Sequence, residues 1–283
     1  MNGHVTSGVW CPTLTPLDSA LEPDLPLLTE HLSWLLDQGC QGIVLFGTTG
    51  EANSFTVEER KRLLEGILAT GFAPDRLIVG TGCCSAGDTV SLTKHAIANG
   101  CPRVLVLPPF YYKGVSEQGT IDAFSWEIDA VADDRLRFFF YRIPQMSAVD
   151  ITAAVIETLL ERFGPLIAGL KDSSTDRESV EVLCRRFGER LDVLVGSERF
   201  LKRALECGAS GCITATANVQ APIVRALFDS PSDEAQQRAT RARETYDALS
   251  MIAALKAATA RRTKKNGWLR VRPPLVAASP LGE

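Results

Sequence analysis

The fold class that the sequence predicts is α/β, a (β/α)8 TIM barrel with a C-terminal helical extension. Eight short apolar segments recur along the chain and alternate with segments of helical periodicity, which is typical of a parallel sheet covered by helices. The length of 283 residues also fits, because α/β barrels reach about 250 residues as one domain. We therefore expect a barrel that carries the active site over residues 1–220, and a helical extension packed on it over residues 221–283.

The predicted strands are short runs rich in Val, Ile, Leu and Phe. In chain order they are GVWCPTLTP (8–16), GIVLFG (42–47), RLIVGTG (76–82), RVLVLPP (103–109), LRFFFYRIP (136–144), LIAGLKD (166–172), LDVLVGS (191–197) and GCITATAN (211–218). The alternative to a closed barrel is an open doubly wound sheet, which calls for a GxGxxG motif after its first strand. The first strand here ends in TLTPLDSALEPD, which lacks those glycines. The sequence therefore favours closure.

Two of the intervening segments carry signals for where a helix begins and ends. Thr56 and Glu59 have capping-box spacing at the start of SFTVEERKRLLEGILATG, which ends near Gly71. The segment DTVSLTKHAIANG ends at Gly100, a residue favoured just after a helix. After the barrel, the Ala-, Arg- and Leu-rich stretch 221–260 predicts two or three further helices.

Composition excludes several classes of function. A net charge of −4 argues against a nucleic-acid or anionic-membrane surface, since both need a basic face. No apolar run approaches the roughly 18 residues of a membrane helix, and the N-terminus lacks the apolar core of a secretory signal. The eight cysteines show no CxxC spacing and only three histidines are present, so a metal site has little support. Thiols set among apolar residues predict a cytoplasmic protein.

The strand-six motif GPLIAGLKDSS ends an apolar run with a lysine, which allows two interpretations. Either the strand ends at Leu170 and Lys171 lies in water, or the site desolvates the amine and makes it a nucleophile toward a carbonyl. Strand alternation places Ile167, Gly169 and Lys171 on one face. If that face is inward, Lys171 points to the mouth of the barrel, where the active sites of such barrels lie.

Other strand ends carry candidate site residues, each with a structural alternative. GTTGE (Gly47–Glu51) would cradle a carboxylate through Thr48, Thr49 and their amides, or would be a glycine turn with two capping threonines. Tyr141 would shuttle protons, or would be a core tyrosine with its hydroxyl at the rim. Glu198 would bind substrate hydroxyls, or would begin a helix.

In combination these motifs resemble a known family. GTTGE, Y-x-x-P and GLKDSS follow strands two, five and six in this order, and PPFYY, GASGCITATANV and VRPPL support them. The chain resembles the dihydrodipicolinate synthase/N-acetylneuraminate lyase family over nearly its whole length. Members are homotetrameric barrels that form a Schiff base between the strand-six lysine and a 2-oxo acid, usually pyruvate. The resemblance implies a class I aldolase or lyase that joins or cleaves a 2-oxo acid and an aldehyde, without metal or organic cofactor.

The resemblance also implies roles for residues of this chain. Lys171 would form the imine, and Tyr141 would be its acid–base partner. Thr48 would link Tyr141 to a tyrosine from a neighbouring subunit, here Tyr111.

For substrate binding, the resemblance implies that Thr49 and the amides of Thr48 and Thr49 hold the pyruvate carboxylate next to Gly47. Ile213 would line the pocket near the bound 2-oxo acid. Glu198 remains a candidate for substrate hydroxyls.

The departures from the family pattern concern specificity. Arg142 stands where Asn is usual, and Met146 stands where the lysine-pathway synthases place a carboxylate-binding arginine. Glu198 is followed by Arg199 rather than by a second acid, and Ala215 replaces the serine of the sialic-acid lyases. Strand alternation points Arg142 away from the site. The sequence therefore predicts poor use of aspartate semialdehyde and better use of an aldehyde that lacks its carboxylate.

Three functions stay open on the sequence. The first is a Schiff-base lyase or aldolase, or a dehydratase, acting on a 2-oxo acid of unassigned structure. The second is a true 4-hydroxy-tetrahydrodipicolinate synthase that uses pyruvate and aspartate semialdehyde. The third is a 2-oxo acid sensor without turnover, which the joint presence of Lys171, Tyr141, Thr48 and Tyr111 disfavours because a sensor needs no proton relay.

Overall fold

The computed structural model of the chain describes residues 6–247 and 250–278, and eight parallel strands close into a barrel. Each strand pairs with the next, and the first pairs with the last. The strands are β1 (Gly8–Pro12), β2 (Gly42–Leu45), β3 (Leu77–Gly80), β4 (Arg103–Val106), β5 (Arg137–Arg142), β6 (Ile167–Asp172), β7 (Asp192–Val195) and β8 (Gly211–Ile213). The predicted (β/α)8 barrel is confirmed.

Helices cover the outside of the barrel and continue after the last strand. They are α1 (Leu25–Asp37), α2 (Val57–Ala69), α3 (Ala86–Ala98), α4 (Glu117–Val131), α5 (Pro144–Ser147), α6 (Ala153–Phe163), α7 (Arg177–Phe187), α8 (Leu201–Glu206), α9 (Ala217–Asp229), α10 (Asp233–Asp247) and α11 (Met251–Thr263). Short 3-10 turns span Ala52–Ser54, Pro74–Arg76, Gly164–Leu166, Glu198–Phe200 and Asn266–Leu269. Within the described ranges, no helix has the length and apolar character needed to cross a membrane.

The predicted helix signals lie where the sequence puts them. The Thr56 hydroxyl accepts a hydrogen bond from the Glu59 amide at 3.2 Å, and the Glu59 carboxylate accepts one from the Thr56 amide at 2.7 Å. This is a complete capping box at the start of α2. Gly71 and Gly100, with φ of +87° and +80°, follow the ends of α2 and α3.

One part of the predicted strand alternation is wrong. The pairing of β5 with β6 shifts register by one residue, so that Phe138 pairs with Ile167 but Phe139 pairs with Gly169. Ile167 therefore packs in the outer layer against the helices rather than inside the barrel. Gly169 and Lys171 keep the inward face. A Cβ on Gly169 would lie 2.2 Å from the Phe139 ring, so glycine is required for that ring to fill the layer below Lys171.

The C-terminal helices bring polar side chains to the mouth of the barrel. Helix α9 packs on β1 and completes the outer ring, with a kink at Gln220. The predicted domain boundary after residue 220 falls at this kink and stays a prediction. Helix α10 is anchored on the segment after β7, because the side chain of Gln236 donates to the Glu198 carbonyl at 2.9 Å and accepts from the Lys202 amide at 3.0 Å.

Candidate active site

Lys171 lies inside the barrel on β6. The strand continues to Asp172, so the interpretation that it ends at Leu170 and leaves the lysine in water is wrong. Only 4% of Lys171 is exposed. Its Nζ lies 3.9 Å from the centroid of the Tyr141 ring, because β5 and β6 pair these two residues directly. The strand register thus fixes an amine next to a phenol at the barrel mouth.

The Tyr141 hydroxyl is part of a short polar relay. Its oxygen lies 3.2 Å from the Thr48 hydroxyl. Burial raises the pKa of Tyr141, but the Lys171 cation and hydrogen bonds from Thr48, Lys171 and Ser173 outweigh burial and hold that pKa below its ordinary value. A buried phenol with a lowered pKa next to an amine is suited to proton transfer.

The GTTGE loop after β2 presents backbone donors close to this relay. Its turn is closed by a hydrogen bond from the Gly50 amide to the Gly47 carbonyl at 3.1 Å. Within the described residues, the amides of Thr48 and Thr49 donate no hydrogen bond. A Cβ on Gly50 would lie 2.9 Å from the carbonyl oxygen of Thr13, which explains the second glycine. The loop is therefore held in shape with two amides available to an anion.

The last residue of this motif, Glu51, has a structural role that the sequence analysis missed. Its buried carboxylate forms an ion pair with Lys256 of α11 and accepts a hydrogen bond from the Arg272 amide at 2.9 Å. Burial lowers the pKa of Lys256, and the Glu51 charge opposes that shift. The GTTGE motif indicates a loop but not this ion pair, because the partner of Glu51, Lys256, lies 205 residues further along the chain. This pair ties the carboxylate-cradle loop to the C-terminal extension.

A cavity of about 350 Å³ opens above the lysine. The predicted residues that line it are Thr48, Thr49, Tyr141, Lys171 and Ile213. Gly47 lines a smaller adjoining pocket together with Thr48 and Tyr141. The fold therefore gathers these six residues, from the loop after β2 and from β5, β6 and β8, around the cavity and the pocket that adjoins it. Among the residues described, no group of three or more His, Cys, Asp or Glu side chains is suited to a metal ion.

Glu198 lies behind the cavity wall rather than in it. The residue is fully buried, and its carboxylate accepts hydrogen bonds from the hydroxyls of Thr214 and Thr216. It also forms an ion pair with Nη1 of Arg243 at 2.8 Å. The expected contact between Glu198 and substrate hydroxyls is therefore replaced by support of an arginine that does reach the cavity.

Besides Lys171, three charged side chains line the cavity that the sequence analysis did not assign to the site. They are Arg199, Arg243 and Asp247. Asp247 forms ion pairs with both arginines. Helix α10 contains several arginines, and the sequence does not single out Arg243 among them. The signal that could have found it is Ala239, four residues earlier on the same face, which is the buried residue of this helix.

Arg142 points away from the cavity, as strand alternation predicts. Its guanidinium forms ion pairs with Asp150 at 2.6 Å and with Asp172 at 2.9 Å. It is therefore a structural residue between the barrel and its outer layer. It cannot take the role of the carboxylate-binding arginine that the lysine-pathway synthases carry at the position of Met146.

Tyr111 and Met146 both lie at the protein surface. Tyr111 is 72% exposed, and its ring contacts Tyr112 edge-to-face at 5.5 Å. Met146 is 61% exposed on α5. Within one chain Tyr111 does not line the cavity around Lys171, so its predicted role requires a second subunit and stays a prediction.

The fold and the site define a (β/α)8 barrel with a buried lysine–tyrosine pair at its mouth. Comparison with known proteins gives the family: the profile of the dihydrodipicolinate synthetase family matches residues 5–269. The chain belongs to this family, and the predicted class of enzyme, a lyase or aldolase of that family, is confirmed.

Individual relatives agree with this assignment. The chain is 38% identical over 257 residues to an uncharacterized DapA-like lyase of Chloroflexus aurantiacus, covering 89% of this chain and 85% of that protein. It is 31% identical to an N-acetylneuraminate lyase of Danio rerio, covering 79% and 73%. Among solved structures, a dihydrodipicolinate synthase of Agrobacterium tumefaciens superposes with a TM-score of 0.90 at 29% identity, covering 97% and 95%.

Proposed function

We propose that this enzyme forms a Schiff base between Lys171 and pyruvate or another 2-oxo acid, and joins it to an aldehyde or cleaves the corresponding product. The observation that carries the proposal is the buried Lys171 amine, 3.9 Å from the centroid of the Tyr141 ring, with the Tyr141 hydroxyl 3.2 Å from Thr48. An imine-forming lysine needs a desolvated amine and a proton donor within reach, and this pair supplies both.

The steps follow from this arrangement. The neutral Nζ of Lys171 attacks the carbonyl carbon of the 2-oxo acid, and Tyr141 delivers the proton with which the carbinolamine oxygen leaves as water. The neighbouring carbon then loses a proton to the Tyr141 phenolate, and the iminium accepts the electron pair of that C–H bond, which gives an enamine. The enamine carbon forms a bond to the aldehyde carbon, and Tyr141 protonates the new alkoxide. Water then hydrolyses the imine, which frees the product and restores the amine.

The carboxylate of the 2-oxo acid fits the GTTGE loop. The hydroxyl of Thr49 and the unbonded amides of Thr48 and Thr49 are donors of the kind that bind a carboxylate. Gly47 lets the backbone approach this group, and Ile213 borders the same cavity as an apolar contact.

Assembly and location belong to the same proposal. We propose a homotetramer in which Tyr111 of one subunit completes the relay of another, since Tyr111 is exposed in the single chain. The eight cysteines are free thiols, six of them buried, which supports a reducing compartment such as the cytoplasm.

A 4-hydroxy-tetrahydrodipicolinate synthase is the second candidate. The dihydrodipicolinate synthase of Agrobacterium tumefaciens, similar over 97% of this chain, favours it. The exposed Met146, where such synthases carry a carboxylate-binding arginine, argues against it.

An assay that pairs pyruvate with a panel of aldehydes, aspartate semialdehyde included, tests the proposal. We expect condensation that falls on the order of 10²- to 10⁴-fold in Tyr141→Phe, because that change removes the proton donor and keeps the ring. Circular dichroism of the variant controls for folding. Normal turnover of Tyr141→Phe would show that Tyr141 has only a packing role. Use of aspartate semialdehyde to the exclusion of the other aldehydes, including other anionic ones, would favour the second candidate.

A further inference from the structure

The cavity extends beyond the space that a 2-oxo acid needs, and its wall on the β7 side is charged. Arg199, from the turn after β7, and Arg243 and Asp247, from α10, line this wall. Two carboxylates compensate these two arginines, but Glu198, which pairs with Arg243, is fully buried and does not line the cavity. A ligand in the cavity therefore meets two guanidinium groups and one carboxylate, Asp247.

The orientation of Arg243 is fixed from behind. Its Nη1 atom donates to the Glu198 carboxylate at 2.8 Å and to the Thr214 hydroxyl at 3.2 Å. Glu198 is fully buried and also accepts from Thr216. A guanidinium held in this way keeps one orientation instead of many, which lowers the entropy lost when a ligand binds.

The Nη2 atom of the same guanidinium is the one without a strong partner among the described residues. Among the described residues, Nε makes an ion-pair contact with Asp247 at 3.2 Å but no hydrogen bond, and the contact of Nη2 is the sulfur of Met251 at 4.0 Å. Nε is buried, whereas Met251, the neighbour of Nη2, lines the cavity. Nη2 can therefore donate to one oxygen of a bound carboxylate, and Arg199, on the same wall, can donate to the other.

We propose that Arg243, assisted by Arg199, is the specificity-determining residue that binds a carboxylate at the far end of the aldehyde substrate. This inference rests on the proposed function, and it makes the preferred aldehyde an anionic one. It replaces the expectation of an uncharged aldehyde, which considered only the position of Met146. Glu198 acts here as a positioning residue for Arg243.

The test compares two aldehydes of equal chain length, succinic semialdehyde and butanal, as partners of pyruvate. We expect kcat/KM to favour the anionic aldehyde by roughly tenfold to a hundredfold, the usual effect of a hydrogen-bonded charge. Arg243→Gln should remove most of this preference, and Arg243→Lys should restore part of it. Arg241→Gln, on the same helix but at an exposed position, is the matched control and should keep the preference.

Two further measurements keep the outcome clear. Arg199→Gln changes a part-exposed side chain that does not pair with Glu198. It therefore tests carboxylate binding at this wall even if Arg243→Gln fails to fold, and it should also weaken the preference for the anionic aldehyde. Labelling of Lys171 by pyruvate and borohydride reports the imine step without any aldehyde. Labelling combined with equal use of both aldehydes, or with a preference for the neutral glyceraldehyde, would overturn this inference alone. Absence of labelling would overturn the proposed function itself.

Discussion

At the scale of single residues, the chemistry depends on how the Lys171 cation and the Tyr141 phenol affect each other. Burial alone would keep the phenol neutral and raise its pKa. The neighbouring Lys171 and the hydrogen bonds from Thr48 and Ser173 act in the other direction and prevail. Lys171 is therefore one of the groups that hold the pKa of Tyr141 below its ordinary value.

This coupling gives a prediction with a definite sign. Lys171→Met removes the cation and leaves the phenol buried, so the pKa of Tyr141 should rise above its wild-type value. Ultraviolet titration of phenol ionisation measures the change, and Tyr141→Phe identifies which part of the titration belongs to this residue. Identical titration curves for the wild type and Lys171→Met would contradict the coupling.

At the scale of elements, the C-terminal extension supports the active-site loop from outside the barrel. The ion pair between Glu51 and Lys256 is buried on both sides. Lys256 also donates to the Arg270 carbonyl at 2.6 Å, which joins α11, the segment after it and the GTTGE loop. A buried pair of this kind fixes a geometry more than it adds net stability.

Lys256→Met should therefore be strongly destabilising, because it leaves the Glu51 carboxylate buried without its cation. Loss of one partner of a buried pair costs about 3–5 kcal/mol. The double variant Glu51→Gln, Lys256→Met should recover much of that loss, since no buried charge remains. Urea denaturation of the wild type, both single variants and the double variant measures this coupling. Additive effects of the two changes would contradict it.

The secondary-structure elements also show how much of the fold could be predicted from the sequence. The strand and helix positions follow from local signals such as the capping box of Thr56 and Glu59 and the apolar strand runs. The inward position of Ile167 was wrong because a register shift in β6 depends on how Phe138 and Phe139 pair with a neighbouring strand. Local alternation carries no information about such a shift.

At the scale of the whole molecule, the single chain leaves aromatic and apolar side chains exposed on the segments that follow β4 and β5. Tyr111, Tyr112 and Met146 are each more than half exposed. Single exposed apolar residues need no explanation, but several together mark an interaction surface. We expect a second subunit to cover them and to bring Tyr111 to the relay at Thr48.

Subunit complementation tests that expectation. Tyr111→Phe and Lys171→Arg should each lose turnover, for the missing hydroxyl and the missing amine respectively. Mixed oligomers should regain activity above the sum of the two, because a Lys171→Arg subunit can lend its Tyr111 to a partner that keeps Lys171. Co-expression with two affinity tags isolates the mixture, and the mass should be four times 30.7 kDa. No gain in the mixture would place Tyr111 outside the relay.

The charged cavity wall on the β7 side could not be predicted from the sequence, whereas the residues around Lys171 could. Lys171, Tyr141, Thr48 and Thr49 stand at strand ends, where the barrel architecture itself predicts an active site. Arg243 stands on a polar helix after the barrel, and its position depends on how that helix packs on the loop after β7. Such packing is set by contacts distant in sequence, such as Gln236 with Glu198.

Covalent trapping tests the central claim, that the Lys171 amine forms the imine. Incubation with pyruvate and sodium borohydride, followed by intact-mass analysis and peptide mapping, should add one reduced pyruvyl unit per chain at Lys171. Lys256, also buried but paired with Glu51, should stay unlabelled, and Lys171→Arg should abolish labelling because a guanidinium cannot form the imine. No adduct, or an adduct that remains in Lys171→Arg on another lysine, would contradict the account.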